Sequence, residues 1–249
     1  MVLEAGWGGT SANWTSVLPK LARNTRACAY DRAGLGASDA IPGVHDAGDE
    51  TKDLERLLDR AEIHPPYVLV GHSYGGLLAR LFAATQPERT GGLVLLDALG
   101  RDAWRRELTA WPKWFAREQR RAMAKPVDAG IDLRATAALD NRIRSLGDIP
   151  LIVITAAQER AQYAAIGADP PAGLYRRGLR LWRTMQTELA RLSRDRVHVI
   201  ALESDHFVQD DQPLVVIAAV RAVVRAVRDR APLPPCEQVF NSADVRCLS

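Results

Sequence analysis

Short runs of valine, isoleucine and leucine alternate with longer amphipathic stretches along this chain of 249 residues. The runs fall at Val2 to Glu4, Ala27 to Asp31, Tyr67 to Gly71, Leu93 to Asp97, Leu151 to Thr155 and Val197 to Leu202. They are apolar at nearly every position rather than at every second one. That pattern suits strands covered on both faces, as in a parallel sheet. Between them, apolar positions recur at helical spacing over about 13–24, 48–62, 74–86, 173–193 and 212–230. Pro19 falls inside the first of these helices and is expected to break or kink it. Alternating strands and helices predict an α/β fold, a mostly parallel sheet with helices on both faces. The rhythm fails from about 98 to 148, where Trp104, Trp111, Trp114 and Phe115 lie among arginines. That stretch is too long for a connection and too short for a domain, and reads as a small helical cap. Its aromatic residues either line a substrate pocket or pack the cap onto the body. Residues 1–249 thus read as a single domain with a cap insertion and a polar tail from about 232 to 249.

Composition narrows the function classes. The chain is 47% hydrophobic and 25% charged, with net charge +3, which are globular values. Lysine occurs only at Lys20, Lys52, Lys113 and Lys125, so the positive charge is nearly all arginine. The arginines alternate with acids, as in "RDAWRREL", which describes solvated helix faces and not a nucleic-acid patch. The run "PLVVIAAVRAVVRAV" is interrupted by Arg221 and Arg225, and no stretch reaches the ~18 apolar residues of a membrane span. Cys28 sits in "ACAYD" and reads as a core residue. Cys236 and Cys247 flank a polar segment and are either free thiols or the ends of a disulfide loop. No Cys/His spacing fits a metal site.

Chemistry concentrates in "YVLVGHSYGGLLARLFA". Gly71-His72-Ser73-Tyr74-Gly75 fits G-x-S-x-G, a sharp strand-to-helix turn that exposes a serine hydroxyl above a sheet. Alone the pattern is weak. Here a buried strand precedes it and an amphipathic helix follows, which is the context the motif requires. Near the start, "EAGWGGTS" ends a strand in a glycine-rich loop whose amides could face a developing oxyanion, with Trp7 and Tyr74 as the natural donor pair. The loop matches neither G-x-x-x-x-G-K-[ST] nor G-x-G-x-x-G, against a phosphate cradle. Of five histidines, His206 in "ESDHFVQDD" follows the last strand of the pattern, at the sheet edge where α/β sites assemble, and is the general-base candidate. His72 lies within the turn, His198 within a strand, and His45 and His64 in or beside polar loops.

Together "EAGWGG", "YDRAGLGASD", "VGHSYGG", "GLVLLDA" and "SDHF" resemble the α/β-hydrolase superfamily, in its order and across nearly the whole chain. The resemblance implies a serine hydrolase acting on a small ester-like substrate through an acyl-enzyme, with no metal or organic cofactor. Other reactions of the superfamily remain rivals: amide or carbon–carbon hydrolysis, acyl transfer and haloperoxidation. So does a non-catalytic binding scaffold. A carboxylate must complete the triad. Asp97, at the end of "LVLLDALG", is assigned, with Glu159 in "TAAQERAQ" as the alternative. Asp31 and Arg32 are assigned to a structural turn. The arginine-rich cap hints at an anionic substrate, although solvation accounts for it more simply. Relatives open with a two-stranded hairpin before the glycine-rich loop, whereas this chain opens within the third strand. A start placed late is therefore expected. It would leave a strand edge uncovered and hide any leader, so the compartment is cytoplasmic as written, or extracytoplasmic with a Cys236–Cys247 disulfide. Oligomeric state is not legible.

Overall fold

Strand length and burial follow the apolar runs closely at the centre of the sheet and less closely at its edges. The computed structural model describes residues 1–113, 116–117, 130–157, 172–242 and 244–248. Its strands are β1 (Val2–Glu4), β2 (Cys28–Ala29), β3 (Tyr67–His72), β4 (Thr90–Leu96), β5 (Leu151–Ala156), β6 (Arg196–Ala201) and β7 (Val245–Leu248). They form one sheet in the order β2-β1-β3-β4-β5-β6-β7, parallel except for the β6–β7 pair. β3 and β5 are buried at all six positions, as expected for strands covered on both faces.

The helices described are α1 (Leu18–Leu21), α2 (Ala47–Arg60), α3 (Tyr74–Thr85), α4 (Ala103–Ala110), α5 (Leu133–Asp140), α6 (Ala172–Ala190), α7 (Val208–Asp211), α8 (Pro213–Asp229) and α9 (Cys236–Val239). One apolar layer joins α2, α3 and the end of α6 to the sheet through residues such as Leu54, Leu77, Phe82 and Leu189. The other joins Trp14, Leu21 and the apolar stripe of α8, including Val216 and Val220, to the opposite face. α2 is started by Asp46, whose carboxylate accepts from the amides of Gly48 at 2.8 Å and Asp49 at 3.2 Å. α8 begins with Pro213 and ends at Arg230 in the left-handed conformation, φ 50°. The region over 13–24 is not one helix: a short 3₁₀ turn, Ser11–Trp14, precedes α1, and Pro19 sits in the first turn of α1, where a missing N–H leaves no helical bond unmade.

Four sequence readings need correction. The strand read over Ala27 to Asp31 is only two residues long, and Cys28 is half-exposed at the sheet edge and not in the core. The strand read from Leu93 begins earlier, at Thr90, and ends at Leu96, so that Asp97 stands beyond it. The polar tail is not merely a tail. It contributes α9 and the antiparallel β7, and a Cys236–Cys247 disulfide ties the two together. β7 offers only four residues with no fully buried face, so its apolar signal was too weak to read. Part of the cap, including Trp114 and Phe115, lies outside the described residues. Among the described residues no helix is long and apolar enough to cross a membrane.

Candidate active site

At the end of β3 the chain has no room for a side chain at the positions two residues before and two residues after Ser73. A Cβ on Gly75 would stand 2.2 Å from the carbonyl oxygen of Glu4, and one on Gly71 would stand 2.4 Å from that of Gly75. Strand and helix backbones therefore pass at a distance only glycine permits. Ser73 itself takes φ 53°, ψ −118°, a conformation L-residues rarely adopt. Its amide donates to Leu96 O at 3.0 Å and its carbonyl accepts from Leu99 N at 2.9 Å, which locks the turn to the end of β4. Gly75→Ala is expected to destabilise the fold by about 3 kcal/mol or more, because its clash is with main chain and cannot be relieved by a rotamer. Urea unfolding of the variant checks this, and a loss under 1 kcal/mol would contradict the close packing.

Asp97 lies one residue past β4, fully buried, with φ 40°, a region an aspartate tolerates better than most side chains. Its Oδ1 accepts from Trp182 Nε1 at 2.7 Å and Ala156 N at 3.1 Å. Its Oδ2 is 2.7 Å from His206 Nδ1. A carboxylate in that position accepts, so Nδ1 carries the hydrogen and Nε2 keeps its lone pair. His206 sits in the loop between β6 and α7, and so these three sites come from the ends of β3, β4 and β6. Glu159, the alternative acid, lies outside the described residues.

His72 is the neighbour that local sequence did not reveal. Its Nε2 donates to the main-chain oxygen of His206 at 2.8 Å, and the two rings are 4.6 Å apart. It thereby holds the His206 loop against the turn. Burial, with the nearby His206 in support, pushes the His72 pKa down to about 3. The unfolded chain, titrating near the ordinary 6.5, binds a proton that the folded state refuses. Stability from this neutral ring is complete above pH 6.5 and is lost as pH falls toward 3. Between pH 7 and pH 5, the protein is expected to lose about 2 kcal/mol more stability than His72→Gln. Equal losses in urea titrations at the two pH values would refute it.

The glycine-rich loop is braced from below. Arg32 donates to the carbonyls of Ala5 at 2.7 Å and Gly6 at 2.8 Å, and its Nε is 3.3 Å from Glu50 Oε1. Glu50 accepts in turn from the Tyr74 hydroxyl at 2.5 Å. Glu4 accepts from Tyr30 at 2.5 Å, and burial pushes its carboxyl up to about 7 even with Arg32 nearby. A Cβ on Gly6 would meet His72 Nδ1 at 2.9 Å and Ser73 Cβ at 3.2 Å, which shows how closely this loop approaches the turn. Trp7, 38% exposed, packs edge-on to Tyr74 with ring centroids 5.1 Å apart. Tyr74 opens α3, where a helix leaves its first amides without intrahelical acceptors. Asp31 accepts from the amides of Ser11 at 2.7 Å and Ala37 at 2.9 Å.

The structure thus gathers Ser73, His206, Asp97, Trp7 and Tyr74 at the carboxyl end of the sheet. Three contributors were missed from sequence: His72, Trp182 and Glu107. Trp182 lies in an amphipathic helix where a tryptophan reads as packing. Glu107, on α4, lies within electrostatic reach of His206 and is pushed up to about 7 by burial, with His206 acting the other way.

Parallel sheet, tight serine turn and a buried Asp97 paired with His206 together point to a class of protein, and comparison with known proteins agrees on its fold. A model of the alpha/beta hydrolase fold matches residues 1–222, and the chain belongs to that family. An uncharacterized Bacillus subtilis protein, YqjL, is 29% identical over 235 residues, 94% of this chain and 87% of that protein. A Pseudomonas putida 2-hydroxy-6-oxo-2,4-heptadienoate hydrolase is 37% identical over 102 residues, covering 40% of this chain and 37% of its own. Among solved structures, an esterase from Thermogutta terrifontis superposes with a TM-score of 0.63 at 20% identity, over 91% of this chain and 89% of its own.

Proposed function

We propose that this α/β hydrolase is a serine hydrolase that cleaves a carboxylic ester through an acyl-enzyme. One observation carries the reading: a serine strained to φ 53° at a strand-to-helix turn, whose neighbour His72 packs 4.6 Å from the ring of a histidine that a buried carboxylate holds by its Nδ1. Ser73 attacks the acyl carbonyl. His206 takes the hydroxyl proton on Nε2 and passes it to the leaving alcohol. Asp97 holds the imidazole in the tautomer that leaves Nε2 free, and stabilises the imidazolium once it forms. The amides of Trp7 and Tyr74 stabilise the oxyanion. Water then attacks the acyl-enzyme by the same base, releasing the acid and restoring Ser73. The Thermogutta terrifontis neighbour, an esterase of the same fold, supports the ester among the bonds this chemistry can cleave.

The test is labelling of the purified chain with a fluorophosphonate probe, beside hydrolysis of short- and medium-chain p-nitrophenyl esters. Labelling and turnover are expected in the protein and absent from Ser73→Ala. A folded protein that neither labels nor turns over would remove the serine-hydrolase reading and favour a binding scaffold. Labelling without ester turnover would keep the activated serine and reject the ester.

A further inference from the structure

The serine-hydrolase reading assigns the oxyanion to two amides, those of Trp7 and Tyr74, and the fold holds them in different ways. In a trans peptide the N–H points opposite to the C=O before it, so whatever grips that carbonyl aims the amide. The carbonyl before the Tyr74 amide is that of Ser73, which accepts from Leu99 N at 2.9 Å and Gly76 N at 3.0 Å. Main chain therefore aims that donor. The carbonyl before the Trp7 amide is that of Gly6. Gly9 N donates to it at 3.1 Å, but Gly9 belongs to the same loop and moves with it. The grip from outside the loop is a side chain. Arg32 donates through Nη2 to Gly6 O at 2.8 Å and through Nη1 to Ala5 O at 2.7 Å, from 26 and 27 residues away. The guanidinium is itself fixed on its other sides. Its Nε is 3.3 Å from Glu50 Oε1, its Nη1 is 3.8 Å from Glu4 Oε2, and its carbon lies 5.4 Å from the centre of the Tyr74 ring. The second oxygen of Glu50 accepts from the Tyr74 hydroxyl at 2.5 Å. One buried cation thus joins the loop that carries Trp7 to the residue that opens α3.

We propose that Arg32 is a positioning residue for the oxyanion donors: its grip on two carbonyls aims the Trp7 amide, and its pairing with Glu50 keeps that amide in register with the one on Tyr74. This rests on the serine-hydrolase reading and adds to it the residue that sets the geometry of the hole. Arg32 is 4% exposed and its partners are main-chain carbonyls, two carboxylates and the Tyr74 ring, so it acts through the loop and not on the substrate. The residue type matters. A planar guanidinium meets two carbonyls and a carboxylate at once in a fixed fork, whereas an ammonium is a single point of charge on a flexible stem. A loop free to tilt still admits the ester, because the Trp7 amide contributes most once charge has developed on the acyl oxygen. Loss of the grip therefore falls on kcat and spares KM.

The experiment measures kcat and KM for p-nitrophenyl butanoate beside Ki for 1,1,1-trifluorohexan-2-one. Ser73 Oγ adds to the carbonyl carbon of that ketone, its proton passes to His206, and the carbonyl oxygen becomes a bound oxyanion. Arg32→Lys is expected to lower kcat by about thirtyfold, short of the about 10²–10³ that outright loss of a donor costs. Its KM should stay within about threefold of the parent, and Ki should rise by about the factor by which kcat/KM falls. Arg32→Met, which keeps the stem and offers no donor, should lose more kcat than Arg32→Lys. An unchanged kcat, a loss confined to KM, or a fall in kcat that leaves Ki unmoved would overturn the positioning role. If the Arg32 variants do not unfold cooperatively in urea, Tyr74→Phe decides, since it keeps the ring and the amide and removes only the bond to Glu50. A fall in kcat of about fivefold with a matching rise in Ki supports the role, and an unchanged kcat overturns it. Failure of fluorophosphonate labelling in the unaltered chain would strike the serine-hydrolase reading and this role with it. Labelling and turnover in the unaltered chain that Arg32→Lys matches would strike only the role of Arg32.

Discussion

Ser73→Gly is expected to lower kcat for p-nitrophenyl esters by about 10⁶-fold and, at the same time, to raise stability. The first effect is the loss of the nucleophilic oxygen. The second comes from the backbone. Ser73 holds φ 53° and ψ −118°, a conformation that costs an L-residue about 1–3 kcal/mol and glycine almost nothing. Glycine loses more backbone entropy on folding, about 0.5–1 kcal/mol, which offsets part of the gain. The net is about 1 kcal/mol of stabilisation, or roughly 2–4 °C in Tm for a chain of this size. Ser73→Ala shares the loss of activity but keeps the strain, so its Tm should stay near that of the parent. A Ser73→Gly variant less stable than Ser73→Ala would show that the turn is not strained as described. Residual turnover within a hundredfold of the parent would show that another group attacks the substrate.

Asp97→Asn is expected to lower kcat by about 10⁴-fold with little change in fold stability. The asparagine carbonyl can keep the bonds from Trp182 Nε1 and Ala156 N, and asparagine tolerates the left-handed φ of 40° that Asp97 adopts. Its amide group would then point at His206 Nδ1 and donate to it. The imidazole must answer with the other tautomer, hydrogen on Nε2, and a protonated Nε2 cannot take the proton of Ser73. The variant is thus chemically silent in the core and decisive at the base. Fluorophosphonate labelling should slow in proportion to kcat. A loss below tenfold would reject Asp97 as the orienting acid and direct attention to Glu159. A matched loss of folding cooperativity would instead mark Asp97 as structural.

Both expectations concern groups whose local sequence gave unequal warning. Gly71, Ser73 and Gly75 announce themselves because a close backbone approach demands glycine at fixed offsets, and offsets are visible in one dimension. Asp97 was assigned as the acid for His206 with Glu159 as the alternative, but no local pattern could choose between the two, since 109 residues separate Asp97 from its partner. Their pairing depends on the order of β4, β5 and β6 in the sheet, which no short window contains. His72 was read as a bystander because its neighbours in sequence are the nucleophile and a strand. Its partner is the main chain of a loop 134 residues away. Arg32 was assigned to a structural turn, and its bonds to Ala5 O and Gly6 O show what that turn supports: the loop that carries Trp7.

By itself, then, the sequence determined the class of fold, the sequence of strands and helices, and the position of the exposed serine. Doubly covered strands must be apolar throughout, helices packed on one side must be amphipathic, and a strained turn must be built from glycine. Tertiary structure alone showed Asp97 at His206, which side chains hold that pair in place, and that the polar tail closes the sheet edge as β7. Each of these is an interaction between groups distant along the chain. Such contacts are set by strand order, helix rotation and loop closure, and they leave no periodic mark on the residues that make them.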